Sequence, residues 1–189
     1  MGRPQRGFRR KTPAGAVVNL TALVLAPRGL RIGSRIIPCA IGRGGLSGDK
    51  REGDGATPRG RLRITGCLYR PDRVPRPVPW AWPIRPGDLW SDDPAHADYN
   101  LMVRVPYRHS HEALRRPDPL YDIILLTDWN WPVAAPGEGS AIFLHQWRKP
   151  RHPTEGCIAV SRANLLWIAS QCPPGSRLII PWSDGKYQE

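Results

Sequence analysis

Ser140-Ala-Ile-Phe-Leu-His145, then Cys157-Ile-Ala-Val160 running into Ser161-Arg-Ala-Asn-Leu-Leu-Trp-Ile-Ala-Ser-Gln171, is the stretch that decides the fold. The first two segments are short, apolar and bounded by polar residues, the pattern of strands rather than helices. Ser161 then supplies an N-cap hydroxyl, and Leu165, Leu166 and Ile168 give the following helix an apolar side. Cys172-Pro-Pro-Gly175 stops that helix, and Arg177–Trp182 reads as a closing strand.

Upstream, Val17–Leu25 and Leu30–Ile41 read as strands broken by Pro27–Gly29, with further strands over Arg61–Thr65, Leu101–Val105 and Tyr121–Thr127. The last of these is a continuous apolar run, as a buried strand is. Gly42–Gly55 is rich in glycine, but Lys50 is not preceded by glycine, so a nucleotide P-loop is unsupported. Residues 70–100 form a long irregular segment rich in proline, and Trp80, Trp82 and Trp90 argue that it packs rather than remains disordered. The chain of 189 residues holds 22 prolines and 19 glycines, a density that excludes a helical bundle or coiled coil. The expected architecture is mainly β: a basic flexible tail over residues 1–14, then a single domain over 15–189 with one helix after Cys157.

Hydrophobic residues make up 40 % and charged residues 23 %, which supports a buried core. No apolar run approaches the ~18 residues that span a bilayer. Ala16–Ala26 has the length of a signal-peptide core, but Asn19 and Thr21 interrupt it and Pro27 follows it; it reads as the first strand, leaving no convincing signal peptide. The net charge of +12 suits an anionic partner such as nucleic acid, lipid headgroups or wall polymer, or else reflects an arginine-rich composition with no partner. Cys39, Cys67, Cys157 and Cys172 form no C-x-x-C pair, which argues against zinc ribbons and thioredoxin-type motifs. Cys39, Cys67 and Cys172 read as small hydrophobes.

His145 and Cys157 flank a loop that holds Arg148, Lys149, Arg151 and His152. Pairing of the flanking strands as a hairpin would bring the imidazole opposite the thiol, where it can take the thiol proton. Gly156 lets the backbone turn tightly and aim amide N–H groups at a developing oxyanion. Two other readings stand beside this one. Cys157 and His145 can be packing residues, or His145, His152, Glu155 and Cys157 can hold zinc, although their spacing matches no familiar zinc module.

Gly139-Ser-Ala-Ile-Phe-Leu-His145 followed by Pro153-Thr-Glu-Gly-Cys-Ile-Ala-Val160 resembles the active-site signature of the L,D-transpeptidase (YkuD-like) catalytic domain. Lys50–Pro58 with Gly60 is similar to that family's upstream Thr-Pro-x-Gly element, and with Tyr99-Asn100 and Tyr121-Asp122 the likeness runs from about residue 20 to 182. The resemblance implies a β-sandwich or barrel with Cys157 as nucleophile, His145 as general base and the Gly156–Cys157 backbone as oxyanion site. Glu155 stands where most members have histidine, and Gln146 where serine or glycine is common. Glu155, Thr154, Gln146, Trp90, Tyr99 and Asn100 are the candidate substrate contacts.

The implied reaction is acyl transfer between peptidoglycan stem peptides, through a thioester on Cys157, to a 3→3 cross-link, without metal or organic cofactor. Water or a protein lysine as acceptor would make it instead an L,D-carboxypeptidase or a protein-to-wall attachment enzyme. Such a substrate places the protein in the cell envelope or periplasm, with no nucleic acid as partner. A non-catalytic basic module, with Trp80, Trp82, Trp90, Trp129, Trp131 and Trp147 stacking on bases or sugars, is the reading from another class.

Overall fold

A computed structural model describes residues 21–182; the expected basic tail and residues 17–20 of the expected first strand lie outside them. The chain runs through β1 (Ala22–Ala26), β2 (Gly29–Ile32), β3 (Arg35–Ile37) and β4 (Cys39–Ala40). It continues through β5 (Leu46–Ser47), β6 (Thr57–Pro58) and the long β7 (Gly60–Tyr69). β8 (Ala81–Pro83), β9 (Asp88–Ser91), β10 (Met102–Arg104) and β11 (His111–Ala113) follow. β12 (Ile123–Thr127), β13 (Phe143–Gln146), β14 (Ile158–Val160), helix α1 (Arg162–Gln171) and β15 (Arg177–Ile180) complete it.

The main sheet has the order β3-β2-β1-β15-β7-β12-β13-β14-β4, with β8 added beside β7. Its two outermost strands, β3 and β4, are separated in the chain by Pro38 alone, and β2 lies against β4. The sheet therefore curls until its ends meet, a nearly closed barrel, which covers the backbone edges that an open sheet exposes. β7 joins the two halves, pairing with β15 through residues 60–63 and with β12 through residues 64–69. A bulge opposite Leu126/Thr127 gives β7 the bend it needs.

Alternate residues of the central strands feed two apolar clusters. Cys67, Ile123, Leu125, Leu144 and Ile158 face α1, which contributes Leu165, Ile168 and Ala169. Leu68, Ile124, Phe143 and Cys157 face the other way, toward Trp90, Leu114 and Tyr121. Burial on both faces explains why Tyr121–Thr127 reads as a continuous apolar run rather than an alternating one. Each fully buried Ile, Leu or Phe here contributes roughly 2 kcal/mol.

The second cluster is roofed by a small antiparallel sheet, β10-β9-β11. Residues 70–100 are irregular over most of their length, as expected, but not throughout. They carry β8 and β9, and turns at Pro86-Gly87 and Asp93–Asp98 hid strands too short to show a period. Ser161 caps α1 as expected, its Oγ accepting from Asn164 N at 3.3 Å. Leu166, placed on the apolar side by sequence, is 37 % exposed. The helix turns Leu165, Ile168 and Ala169 inward, and Leu166 lies about 100° away from Leu165. All four cysteines are free.

Candidate active site

β13 and β14 do not form the expected hairpin. They pair in parallel, with Leu144 opposite Ile158 and His145 opposite Ala159, because the intervening loop crosses back to the start of β13. Trp147 N–H donates to Val160 O at 2.9 Å and Thr154 pairs with Gly42, which draws the loop beneath the glycine-rich segment. Cys157, one residue before β14, falls beside Phe143, whose N–H points at Cys157 Sγ at 3.4 Å. His145 is two residues further along the same face of β13, since strand side chains alternate. The thiol and the imidazole line one cavity of about 500 Å³ between the main sheet and the small one.

His145 is held in one tautomer. Its Nδ1 lies 2.7 Å from the carbonyl of Gln146, which can only accept, so Nδ1 carries the proton and Nε2 keeps its lone pair. The Gln146 backbone, not its side chain, does the orienting, which makes the residue type there immaterial to that bond. Cys157 Sγ–H donates to Ala141 O at 3.0 Å. Burial, reinforced by the negative charge of Glu112, pushes the thiol up to about 12, against smaller opposing effects of Phe143 N–H and Lys50. Burial pulls His145 down to about 4. The empty site therefore rests as a neutral thiol and a neutral imidazole.

The turn that carries Cys157 is built from three chain segments. Gly156 has φ +141°, and a Cβ there would stand 3.0 Å from Ala56 O, so only glycine fits. Thr57 Oγ1 donates to Gly156 O at 2.7 Å and accepts from Gly42 N–H at 2.8 Å, welding the Thr-Pro element to the Cys157 loop. Thr154 Oγ1 donates to Cys157 O at 2.6 Å and accepts from Gly156 N–H at 3.2 Å. Among the described residues no three His, Cys, Asp or Glu side chains converge as a metal centre requires.

Of the residues singled out by sequence, Cys157, His145, Thr154 and Glu155 line the cavity, and Gln146, Trp90, Tyr99 and Asn100 do not. Glu155 pairs at the mouth with Arg43, Nε to Oε2 2.9 Å, both largely exposed. Asn100 is 2 % exposed and fully bonded. Its Oδ1 accepts from Trp90 Nε1 and Ala141 N, each at 3.0 Å, and its Nδ2 donates to Trp129 O and Asn130 O. It thereby fixes the strained Ala141, at φ 51°, whose carbonyl receives the thiol. Tyr99 donates to Glu52, and Trp90 stacks edge-on against Phe143 at 4.8 Å. These three build the walls behind the cavity.

Sequence reasoning missed Glu112, Tyr121 as a cavity residue, and Lys50. Lys50 is 5 % exposed, with Nζ on Asp54 at 2.6 Å, and a Cβ at Gly139 would crowd it. A lysine between aspartates and glycines looks solvated in sequence, and only the fold encloses it.

The buried imidazole makes a pH prediction. An exposed histidine protonates near 6.5 and His145 only near 4, so between these values the unfolded chain binds a proton that the folded chain refuses. Stability is complete above pH 6.5 and falls by about 3 kcal/mol as pH drops through this window. Glu112, pushed up by burial, acts in the opposite sense, losing stability as pH rises. Denaturation midpoints across the window should therefore fall more steeply toward acid for the wild type than for His145→Gln; parallel profiles would refute the assignment.

A family model described as the YkuD L,D-transpeptidase catalytic domain matches residues 13–180. No curated protein matches the chain. Similar solved structures include an L,D-transpeptidase (residues 123–326) from Xylanimonas cellulosilytica, 18 % identical over 90 % of this chain, with a TM-score of 0.39. Another is an L,D-transpeptidase from Mycobacterium smegmatis, 14 % identical over 84 % of this chain, also with a TM-score of 0.39. This chain covers 64 % and 57 % of those two chains.

Proposed function

The chain belongs to the L,D-transpeptidase (YkuD) catalytic-domain family, and on that premise we propose that it is a cysteine acyltransferase acting on peptidoglycan stem peptides. The observation that carries this reading is the pairing, in one cavity, of a thiol with an imidazole whose free lone pair is fixed by a backbone carbonyl. Substrate entry displaces water, and His145 Nε2 takes the proton from Cys157 as sulfur attacks the donor carbonyl. The C–N bond breaks, the leaving amine receives that proton, and the stem remains as a thioester. An acceptor amine then attacks the thioester, its proton passing through His145 to the departing sulfur. Amides around Gly156 and Cys157 stabilise the oxyanion in both steps; the long Gly156 N–H to Thr154 bond yields to a stronger, charged acceptor.

The positive net charge helps concentrate such an enzyme on an anionic wall polymer, which implies a place in the cell envelope. No helix among the described residues is long and apolar enough to cross a membrane. Incubation with purified stem tetrapeptide, followed by mass spectrometry, tests the reading. A cross-linked dimer supports the transpeptidase, tripeptide alone makes the acceptor water, and unchanged substrate refutes acyl transfer.

Glu155 is assigned to the acceptor. It lies at the cavity mouth, paired with an exposed Arg43 that an incoming ammonium can replace. Glu155→Gln is expected to slow dimer formation by about two- to fivefold, as loss of an exposed charge pair allows, with thioester formation as fast or faster. Single-turnover mass spectrometry separates the two steps, and slower acylation with an unchanged amine step would remove Glu155 from the acceptor site.

A further inference from the structure

The cavity wall carries a carboxylate that the chemistry above does not use. Glu112 is the middle residue of β11, opposite Trp90, and a third of its side chain is exposed in the cavity. Tyr121 Oη donates to both carboxylate oxygens, each at 2.9 Å. The Tyr121 ring meets His145 edge-on at 5.4 Å and packs in the same apolar cluster as Cys157. One tyrosine therefore links the carboxylate to both members of the reacting pair.

The charges around Glu112 do not cancel it. Asp92 and Glu52 line the same cavity and add negative charge, and Asp92 Oδ1 is buried without a hydrogen-bond partner. Arg116 comes no closer than 4.0 Å and is committed to Asp118 through two bonds of 2.8 and 2.9 Å. Lys50 is committed to Asp54 and Arg51 O. Arg43 and Arg148 also line the cavity, but Arg43 is paired with Glu155, and the charges that act on Glu112 itself are Arg116 against the two carboxylates of Asp92 and Glu52. Such an arrangement disfavours the thiolate and leaves room for a cation.

We propose that Glu112 is a specificity-determining residue: it adds to the burial that holds Cys157 protonated in the empty enzyme, and eases ionisation when a primary ammonium on the acyl donor pairs with the carboxylate. This rests on the acyl-transfer reading of the site. Pairing cancels the charge that opposes ionisation, the thiol proton passes to His145, and sulfur attacks the donor carbonyl as before. A donor without the ammonium leaves that opposing charge in place, so the enzyme favours amine-bearing acyl groups and its sulfur is the less open to adventitious electrophiles.

Alkylation of Cys157 by iodoacetamide, resolved from Cys39 by peptide mass spectrometry, reads the thiol without turnover. Glu112→Gln keeps an acceptor for Tyr121 and should speed alkylation at neutral pH by about tenfold, as a pKa fall of one unit gives. Tyr121→Phe, which keeps the charge, should not speed it; equal acceleration in both variants would mean loosened packing and overturn the proposal. Cadaverine, as a bare ammonium probe, should accelerate alkylation of the wild type and not of Glu112→Gln. In acylation assays, stem peptide with its side-chain amine acetylated should react at least about tenfold more slowly than the free amine with wild type, and equally with Glu112→Gln. An unchanged alkylation profile in Glu112→Gln, or no amine discrimination by an acylated wild type, overturns it. If neither peptide acylates the wild type, the stem-peptide reading fails, and the alkylation and cadaverine arms alone decide on Glu112.

Discussion

Cys157→Ser is expected to reduce turnover by at least about a thousandfold, the scale of removing a nucleophile from an enzyme that acts through one. A serine hydroxyl ionises far less readily than a thiol, and His145, drawn down to about 4 by burial, is too weak a base to compensate. The hydroxyl still fits the Ala141 carbonyl, so the fold should survive, and an unchanged melting temperature separates chemistry from damage. Cys39→Ser, Cys67→Ser and Cys172→Ser touch no part of the cavity. Cys67 and Cys172 are fully buried in the core, and a hydroxyl there costs about 1–3 kcal/mol, lowering the melting temperature while turnover of the folded enzyme persists. Equal losses of turnover at all four positions, measured well below melting, would mean that packing rather than nucleophilicity is being read.

Asn100→Ala is expected to be the most damaging substitution to stability among the site's supports, at about 3–4 kcal/mol, or roughly 10 °C in melting temperature. It removes four hydrogen bonds at once and leaves Trp90 Nε1 and Ala141 N–H without their acceptor. Asn100 itself sits at φ 59°, a region asparagine tolerates better than alanine, which adds backbone strain to the loss. Ala141 would relax from its own left-handed conformation and turn its carbonyl away from Cys157. At temperatures where the variant stays folded, kcat should fall more than KM changes. A stable variant with normal kcat would show that Ala141 is positioned by something else.

Much of this site is legible in the sequence because its chemistry is local. Residue type alone leaves Cys157 and His145 open to packing or zinc, and it is the resemblance of Gly139–His145 and Pro153–Val160 to a family signature that singles them out, while Ser161 stands out by its place before an apolar run. The parallel pairing of β13 and β14 is not legible, since a short loop between two strands reads as a hairpin and only the docking of Thr154 on Gly42 turns it under. Glu112 hides for another reason. Its strand has three residues between histidines and arginines, a polar stretch that looks like surface until β9 folds beside it and Tyr121 rises to meet it. Trp90, Tyr99 and Asn100 stand out by type as ligand contacts, yet the first two bury their rings in the wall and Asn100 bonds backbone at three points of the connection between β12 and β13. Side-chain chemistry suggests what a residue can do, whereas long-range packing decides which of its options is used.

The single-residue joint at Pro38 has a consequence for how the protein comes into being. β14 is flanked on its outer side by β4, and Gly156 hangs from Thr57, a partner 99 residues earlier in the chain. β1 in turn waits for β15, with Ala22 opposite Arg177. Ring-like closure of this kind makes assembly all-or-none and slow, because loop entropy opposes each early pairing until the late ones arrive. A growing polypeptide therefore carries Cys157 as an ordinary, accessible thiol, open to oxidation and stray alkylation. The shielded sulfur exists only once the ring has shut, so the hazardous interval of this enzyme's life is its synthesis rather than its service.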